Sequence, residues 1–252
     1  MNYMKIIGII QARMQSKRLP GKVMLEILGK PMLWHIYNRL IKCKFLDLVV
    51  VSTGEYDQNS AICTFSANNN IPIYIGSEID LIDRLYKTAI KFEASAVARI
   101  TADCPLIDPT IVDTLVHEFV ENQGKYDIVT NWEIRTFPHG LDVEVYSIDI
   151  LEKLWKEIKE PKLREWFTLF IIENPEFSRR KNISHSIDLS KLRWTVDYPE
   201  DYEFVKQVYQ NLYKEDSIFS MEDILKLLSK QPYLKEINSK YVGHHNIGAP
   251  NS

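Results

Sequence analysis

The sequence has little cysteine and glycine, and it has no apolar run long enough to cross a bilayer. Its 252 residues include three cysteines and nine glycines. The cysteines are widely spaced and form no C-x-x-C pair, which argues against a disulfide framework and against a cysteine zinc site. A bilayer span needs roughly 18 to 20 apolar residues in succession, and no signal-peptide pattern precedes the first apolar run. These absences predict a cytoplasmic protein that makes no membrane contact.

An excess of positive charge is also absent. The chain has 31 lysine and arginine residues against 34 aspartate and glutamate residues, which gives a formal net charge of -3. Because binding along a nucleic acid requires a basic surface, no nucleic-acid partner is expected. The glycines form neither a G-x-x-x-x-G-K-S/T P-loop nor a G-x-G-x-x-G dinucleotide fingerprint. A bound anion would therefore be held largely by side chains.

One loop nevertheless concentrates cations. The apolar run at residues 6–10 leads into a segment with four cationic side chains: Arg13, Lys17, Arg18 and Lys22. Within this segment Pro20-Gly21 favours a defined turn, which would hold Arg18 and Lys22 in a fixed relation. In a slightly acidic protein such a local group of cations indicates a polyanion site, although a solvated loop with ordinary surface lysines has the same composition.

The first half of the chain alternates between strand and helix patterns. Apolar runs predict strands at 5–10, 48–51, 71–75, 96–100 and 126–130. Helical spacing predicts helices that begin at Pro31 and that cover 57–69, 79–92 and 109–122. Strands separated by helices of this length indicate an α/β fold with a doubly wound, mostly parallel sheet. Ligands of such sheets bind beyond the carboxyl ends of the strands, where the cationic loop lies.

The pattern changes after about residue 135. Strands are predicted over 139–145 and 192–196, and helices over 147–158, 161–173, 199–213 and 220–230. The basic run Arg179-Arg180-Lys181 is interpreted as a solvated loop. Residues 136–190 are interpreted as an inserted α+β segment within a single domain of residues 1–239, and residues 240–252 as a flexible tail.

Two aspartates follow predicted strands. Asp103 and Asp197 each end an apolar run and are each followed closely by a proline. Four cations beside a sharp turn can hold a triphosphate, and a triphosphate normally arrives with Mg²⁺, which prefers carboxylate oxygens. Together with the loop, the two aspartates form a consistent set for Mg²⁺, although an aspartate after a strand is more often a turn former. Cys104, for which the sequence places no histidine partner, is interpreted as a buried thiol.

Six sequence blocks in order carry a family resemblance. They are Ile9-Ile10-Gln11-Ala12-Arg13 with Ser16, Arg18-Leu19-Pro20-Gly21-Lys22, Gly29-Lys30-Pro31-Met32, Arg99-Ile100-Thr101-Ala102-Asp103-Cys104-Pro105-Leu106-Ile107, Gly140-Leu141-Asp142-Val143-Glu144-Val145, and Leu192-Arg193-Trp194-Thr195-Val196-Asp197. These blocks resemble the cytidylyltransferases of the CMP-sugar synthetase type, and most closely the spore-coat polysaccharide branch. The resemblance covers most of the chain.

The resemblance implies a fold like that of nucleotide-diphospho-sugar transferases. It also implies CTP as the donor, Mg²⁺ as the cofactor, pyrophosphate as the second product, and a homodimer. Residues 136–190 would contribute to the dimer contact and to the acceptor pocket. By matching positions, Arg13, Lys22 and Asp103 are the predicted catalytic residues, and Asp103 and Asp197 are the predicted metal ligands. The predicted substrate contacts are Ile10, Gln11, Ala12, Arg13, Ser16, Arg18, Lys22, Ser52, Arg99, Thr101, His139, Asp142, Glu144 and Arg164.

Within this set, Arg13, Arg18 and Lys22 would hold the triphosphate. The base would lie against the backbone of residues 10–12, near Ser52 and Arg99. The expected activity is transfer of CMP from CTP to a small acceptor, which is a sugar acid, a sugar phosphate or a phosphonate. The product would be a building block for surface polysaccharide or glycoconjugate synthesis.

The sequence departs from the family pattern at two places. Ala102 stands where the branch usually has glycine, and Glu165-Trp166-Phe167-Thr168-Leu169-Phe170 stands where it usually has Glu-His-Val-Thr-Pro-Tyr. The second change removes an imidazole, and a phosphate or phosphonate acceptor needs no base whereas a sugar hydroxyl does. The change and the basic run at 179–181 therefore favour an acceptor that is already anionic. The alternative functions are a glycosyltransferase that uses a nucleotide sugar and a non-catalytic nucleotide-binding protein.

Overall fold

The computed structural model describes residues 4–244, and the chain forms nine strands and nine α-helices within that range. The strands are β1 (Ile6–Gln11), β2 (Glu26–Ile27), β3 (Lys30–Pro31), β4 (Leu48–Thr53), β5 (Ile73–Ile75), β6 (Ala96–Thr101), β7 (Ile128–Thr130), β8 (Glu144–Ser147) and β9 (Arg180–Asn182). The helices are α1 (Met32–Leu40), α2 (Tyr56–Asn68), α3 (Leu81–Lys91), α4 (Pro109–Glu121), α5 (Ile148–Glu157), α6 (Pro161–Glu165), α7 (Phe167–Glu173), α8 (Pro199–Leu212) and α9 (Met221–Lys230).

Seven of the strands form one central sheet in the order β5-β4-β1-β6-β8-β7-β9. The pairs β5·β4, β4·β1, β1·β6 and β7·β9 are parallel, and β8 runs antiparallel to both β6 and β7. The sheet is therefore mostly parallel, which confirms the predicted class. The segment 136–190 supplies two of the seven strands, β8 and β9.

Helices cover both faces of this sheet. On β1, Ile6 and Ile10 pack with α1, α4 and α8, whereas Ile7 and Ile9 pack on the other face with α3 and α5. Because successive side chains of a strand point to opposite faces, a strand buried on both sides becomes continuously apolar. That arrangement explains the apolar run of residues 6–10. Among residues 4–244, no helix has the length and apolarity that a bilayer crossing requires.

Polar side chains cap the N-termini of several helices. The side chains of Asp80, Asp108 and Ser220 accept hydrogen bonds from the first turns of α3, α4 and α9, respectively. Such capping satisfies backbone N–H groups that have no partner within the helix. The predicted helix over 161–173 is interrupted, because Trp166 leaves the helical conformation (φ -112, ψ 42) and separates α6 from α7.

Two predicted segments differ in kind. Residues 192–196 form no strand, and Arg193 makes only an isolated bridge with His139. Residues 193–197 are all buried, so their apolar pattern reflects enclosure by irregular chain rather than a sheet ladder. The run Arg179-Arg180-Lys181 is not a solvated loop, because residues 180–182 form the edge strand β9. The strand predicted over 139–145 begins only at Glu144.

The predicted tail, 240–252, lies mostly outside the described residues. Its first residues, 240–244, are described and contact the beginning of α8. Lys240 Nζ lies 2.6 Å from a Glu200 carboxylate oxygen, and the Tyr241 hydroxyl donates to the same carboxylate.

Candidate active site

Lys22 lies at the centre of a buried charge cluster beyond the carboxyl ends of β1 and β6. Its Nζ donates to Asp103 Oδ2 at 2.9 Å, to Asp197 Oδ1 at 2.9 Å and to the Val196 carbonyl at 2.7 Å. Gly21, in the left-handed region at φ 70, precedes the short 3-10 helix that begins with Lys22. The turn expected from Pro20-Gly21 thus directs this lysine between the two aspartates that were predicted as metal ligands.

The two aspartates have further polar partners. The Thr101 hydroxyl donates to Asp103 Oδ1 at 2.6 Å. Arg18 Nη2 lies 2.9 Å from Asp197 Oδ1, and Arg193 Nη2 donates to Asp197 Oδ2 at 3.0 Å. Asp197 therefore accepts from three cations and is held more tightly than Asp103.

These contacts keep the cluster ionised. Burial is the largest influence on Asp103 and would raise its pKa, but the Lys22 charge and the hydrogen bonds from Thr101 and Lys22 together hold that pKa below its ordinary value. The same balance, with Lys22 and then Arg18 as partners, holds the pKa of Asp197 far below its ordinary value. Burial would lower the pKa of Lys22, but the two carboxylates raise it. At neutral pH all three groups carry their charges.

The orientation of Asp197 is set by Arg193 and Asp201, which the sequence reasoning did not assign to the site. Arg193 donates twice to the Asp201 carboxylate, at 2.8 Å each. Asp201 in turn accepts from the backbone N–H groups of Asp197 and Tyr198, at 3.0 and 3.1 Å. The sequence did contain a signal for Asp201, which lies in the first turn of a helix that begins at a proline. An aspartate at such a position commonly accepts hydrogen bonds from the backbone that precedes the helix.

A second cationic contact joins the loop after β1 to α6. Arg13 follows β1, and its Nη1 lies 3.2 Å from Glu165 Oε1 at the end of α6. Both side chains are partly exposed, so this pair is accessible to solvent. The cations predicted for the triphosphate are therefore paired with carboxylates: Arg13 with Glu165, and Arg18 and Lys22 with Asp197.

Three residues predicted as substrate contacts, Gln11, Arg99 and Glu144, form a hydrogen-bonded group around β6. The Arg99 guanidinium donates to Gln11 Oε1 at 2.7 Å and to the Glu144 carboxylate. Trp132 Nε1 also donates to Glu144, at 2.9 Å. Burial would lower the pKa of Arg99, but Glu144 raises it, so this pair is ionised.

The sequence matches a protein-family model over most of its length. The Cytidylyltransferase model aligns with residues 7–224. The chain belongs to the cytidylyltransferase family. The resemblance inferred from the six blocks is thus confirmed.

Other cytidylyltransferases show how far the likeness extends. A cytidylyltransferase from Leptospira borgpetersenii has a TM-score of 0.88 at 35% identity, with 92% of this chain and 97% of that chain covered. A CMP:2-keto-3-deoxy-manno-octonic acid synthetase complexed with CTP has a TM-score of 0.63 at 22% identity, with 82% of this chain and 100% of that chain covered, and it shows the shared fold. The Bacillus subtilis spore coat polysaccharide biosynthesis protein SpsF is 26% identical over 234 residues, which are 90% of this chain and 95% of SpsF.

Two further residues predicted as substrate contacts of this cytidylyltransferase, His139 and Asp142, lie close to each other. Asp142 pairs with Arg135, and its second oxygen lies 3.8 Å from His139 Nε2. Arg193 Nη1 lies 3.3 Å from His139 Nδ1. These residues are thus continuous with the Lys22 cluster through Arg193.

Some predicted contacts do not reach the cluster with their side chains. Arg164 donates to Asp80 at 2.6 Å and to the carbonyls of Trp155 and Ile158, so it connects α3, α5 and α6. The Ser52 hydroxyl is buried and bonds Thr88 Oγ1 at 2.9 Å. The side chains of Ile10 and Ala12 belong to the core, which leaves their backbone for any ligand contact. Ser16 is half-buried in the loop that leads to Lys22.

Two buried charged residues of this cytidylyltransferase, Arg84 and Glu78, were not predicted from the sequence as candidate functional residues. Arg84 and Glu78 are 1% and 8% exposed, and Arg84 Nε and Glu78 Oε1 have no hydrogen-bond partner within residues 4–244. Burial lowers the pKa of Arg84 to about 10. The signal was present in the sequence, because Arg84 interrupts the apolar face formed by Leu81, Ile82 and Leu85 on α3.

The donor set at Lys22 is compatible with Mg²⁺. Asp103 and Asp197 both lie within 2.9 Å of the same ammonium, so two ionised carboxylates already surround one cation. Mg²⁺ characteristically takes one or two carboxylates and completes its coordination with phosphate oxygens and water. Cys104 is buried, as expected, and burial raises the pKa of its thiol well above the ordinary value.

Proposed function

We propose that this protein transfers CMP from CTP to a small anionic acceptor and releases pyrophosphate. The observation that carries the proposal is the Lys22 ammonium held between Asp103 and Asp197 at the end of a cationic loop. Membership of the cytidylyltransferase family supports the reaction class. The likeness to SpsF supports a role in activating a building block for surface polysaccharide or glycoconjugate synthesis.

The triphosphate would take the place of the carboxylates that now pair with the cations. Arg13, Arg18 and Lys22 each bond a carboxylate oxygen within 3.2 Å, and phosphate oxygens make charge-assisted bonds of the same kind. The related synthetase was solved in complex with CTP, which supports a nucleotide as a substrate of this protein.

Asp103 and Asp197 would hold Mg²⁺, which when bound would neutralise charge on the phosphate oxygens. Lys22 would then be released from the aspartates to contact the phosphates. Thr101 and Arg193 would keep the two carboxylates oriented, because each already donates to one of them.

In the reaction, an acceptor oxygen would attack the α-phosphorus of CTP. The bond from the α-phosphorus to the bridging oxygen would break, and pyrophosphate would leave with the electron pair. Arg13, Arg18 and Lys22 would stabilise the charge that develops on the leaving group, so catalysis would depend on positioning and electrostatics.

Trp166 favours a phosphate or phosphonate as the acceptor, because it replaces the family's usual histidine and supplies no acid or base. A phosphate or phosphonate oxygen needs no base, whereas a sugar-acid hydroxyl does. The basic run 179–181 gives this choice less support than its sequence implied, because Arg179 pairs with Asp127 and Arg180 with Glu133.

The test is pyrophosphate release with each of four nucleoside triphosphates against sugar acids, sugar phosphates, polyol phosphates and phosphonates. We expect release with CTP and one acceptor class, and a loss of at least about a hundredfold in Asp103→Asn, since charge-stabilising groups commonly contribute that much. Asp216→Asn, at an exposed turn, is the matched control. Activity of Asp103→Asn within about threefold of wild type would remove Asp103 from the site.

The same assay separates the alternatives. CTP binding without pyrophosphate release across the whole panel would indicate a nucleotide-binding protein. Release of a nucleoside diphosphate from a nucleotide sugar would indicate a glycosyltransferase. We also propose a homodimer, which light scattering would show as twice the mass of the chain.

A further inference from the structure

A short segment after α9 contacts the residues that orient Asp197. This C-terminal segment, residues 238–244, lies beyond the part of the chain that the family model matches. Asn238, which is buried, donates through Nδ2 to the Arg193 carbonyl and to Asp201 Oδ1, at 2.9 Å each. Arg193 Nη1 donates to the His244 carbonyl at 2.9 Å. Residues near both ends of the segment thus bond the Arg193–Asp201 pair.

Between these ends, Tyr241 stacks on Tyr198. The two rings are parallel within 2°, and their centroids are 3.7 Å apart. The Tyr241 hydroxyl donates to Glu200 at 3.1 Å, and Lys240 pairs with the same carboxylate at 2.6 Å. Tyr241 is therefore held over the residue that directly follows Asp197.

Tyr198 in turn contacts a cation of the triphosphate site. The Arg18 Cζ lies 5.0 Å from the centroid of the Tyr198 ring, and the Arg193 Cζ lies 5.7 Å from it. A guanidinium is attracted to the face of an aromatic ring at this distance. The orientation of Arg18 thus depends on Asp197 and on the Tyr198 ring together.

We propose that the C-terminal segment positions Arg18 for the triphosphate, with Tyr241 as the positioning residue. Tyr241 fixes the plane of the Tyr198 ring, and that ring fixes the Arg18 guanidinium. The inference rests on the proposed function, because it takes Arg18 as a ligand of the triphosphate. A side chain that is fixed before binding loses less entropy when the ligand binds, so loss of Tyr241 should lower the affinity for the triphosphate.

A positional role predicts an effect that depends on the number of phosphates. CMP has only the α-phosphate, whereas Arg18 is assigned to the phosphates that leave. Loss of the Tyr241 ring should therefore weaken the binding of CTP and leave the binding of CMP nearly unchanged. General loosening of the fold would weaken the binding of both nucleotides alike.

The experiment is calorimetric titration of the full chain with CTP and, separately, with CMP. Tyr241→Ala should raise the Kd for CTP about three- to tenfold, the range expected for ring contacts, and the Kd for CMP by less than about twofold. Tyr241→Leu keeps apolar volume without the flat ring and should behave in the same way. Tyr241→Phe keeps the stack and should restore CTP binding to within about twofold of wild type.

Tyr233→Ala is the matched control, because Tyr233 is an exposed tyrosine of the preceding 3-10 helix with its hydroxyl on Gln231. It should leave both Kd values near those of wild type. The inference is overturned if the folded Tyr241→Ala or Tyr241→Leu protein keeps its CTP affinity, or if both nucleotides weaken equally. If the wild-type protein binds no CTP, the proposed function fails and this inference fails with it.

Discussion

Lys22 occupies the position between two aspartates that a cation must fill. Without an ammonium there, Asp103 and Asp197 would repel each other across a mostly buried gap, which is costly in a low dielectric. The residue that keeps the free protein stable is thus the same residue that is proposed to contact the phosphates.

Replacement of Lys22 by methionine should therefore destabilise the free protein. We expect Lys22→Met to lower the free energy of unfolding by about 3 kcal/mol, because it removes the ammonium that pairs with Asp103 and leaves Asp197 with its two arginine partners. Lys17→Met, at an exposed lysine of the same loop, should change it by less than about 0.5 kcal/mol. Urea denaturation of both variants measures the difference, and equal losses would contradict the assigned burial of Lys22.

The charge cluster should also make stability depend on pH. The pKa values of Asp103 and Asp197 lie below 3.8 in the folded protein, so their contribution is complete only above about pH 5, where the unfolded chain is also ionised, and is lost progressively as the pH falls further. The pKa of Lys22 lies above 10.5, so its contribution is lost only as the pH rises beyond that value.

Wild-type stability should accordingly fall between about pH 5 and pH 3, and Asp197→Asn should fall less steeply over the same interval. Urea midpoints at pH 5, 4 and 3 measure both slopes. A variant slope equal to that of wild type would show that Asp197 does not contribute to the acid response.

At the scale of elements, the segment that carries Asp197 depends on a close approach at Gly140. Gly140 has φ 112, and a Cβ there would lie 2.4 Å from the Thr195 nitrogen. The His139 carbonyl accepts from the backbone N–H groups of Trp194 and Thr195 at 2.6 and 3.0 Å, so the two segments are in direct contact. Only a residue without a side chain allows this approach.

Alanine at Gly140 should therefore cost more than backbone strain alone. Gly124 also has positive φ, at 78, but a Cβ there would meet nothing within 4 Å. We expect Gly124→Ala to lose about 1–2 kcal/mol from the left-handed conformation and Gly140→Ala to lose about 1–3 kcal/mol more from overpacking. Urea denaturation measures the losses, and pyrophosphate release should fall only in Gly140→Ala. Similar behaviour of both variants would refute the close approach.

At the scale of the whole molecule, nucleotide binding should stabilise the fold. The proposed site joins the loop after β1, the end of β6 and the segment before α8, so a ligand there holds together distant parts of the chain. At a hundredfold excess over Kd, Mg²⁺-CTP should add about 2.7 kcal/mol, and the melting temperature should rise by about 5–10 °C. Calorimetric melting with CTP and Mg²⁺, with CTP and EDTA, and with GTP and Mg²⁺ measures the effect. No shift with Mg²⁺-CTP would contradict the assignment.

The elements that could be predicted are those whose pattern arises within the element itself. β1, β4 and β6 lie inside the sheet and are mostly apolar, so their sequences alone indicate buried strands. β9 has only the polar residues 180–182, and it becomes a strand because β7 offers an edge. Its pairing is a property of the neighbouring strand rather than of its own residues.

The same distinction applies to the site. The cationic loop and the two aspartates were recognisable, because residues of the required chemistry follow strands that share one sheet edge. Arg193 and Asp201 were not assigned, because their role depends on how the buried segment 193–197 meets the start of α8. Arg164 was assigned to the substrate, although its Nε donates to Asp80 and its Nη1 donates to the carbonyls of Trp155 and Ile158. These partners lie on other elements, so the sequence around Arg164 did not reveal them.

Local sequence patterns were enough to establish the α/β class, the cytidylyltransferase family and the cationic loop with its two aspartates. These follow from local periodicity and from short motifs, which a chain carries whatever its final packing. The folded arrangement was needed to show that Lys22 lies between the aspartates, that Arg193 and Asp201 orient Asp197, and that Tyr241 stacks on the Tyr198 ring that Arg18 also contacts. Some of these contacts join residues far apart in the chain and others join close neighbours in an irregular buried segment, and in both cases their energies depend on burial and distance, which no local pattern specifies.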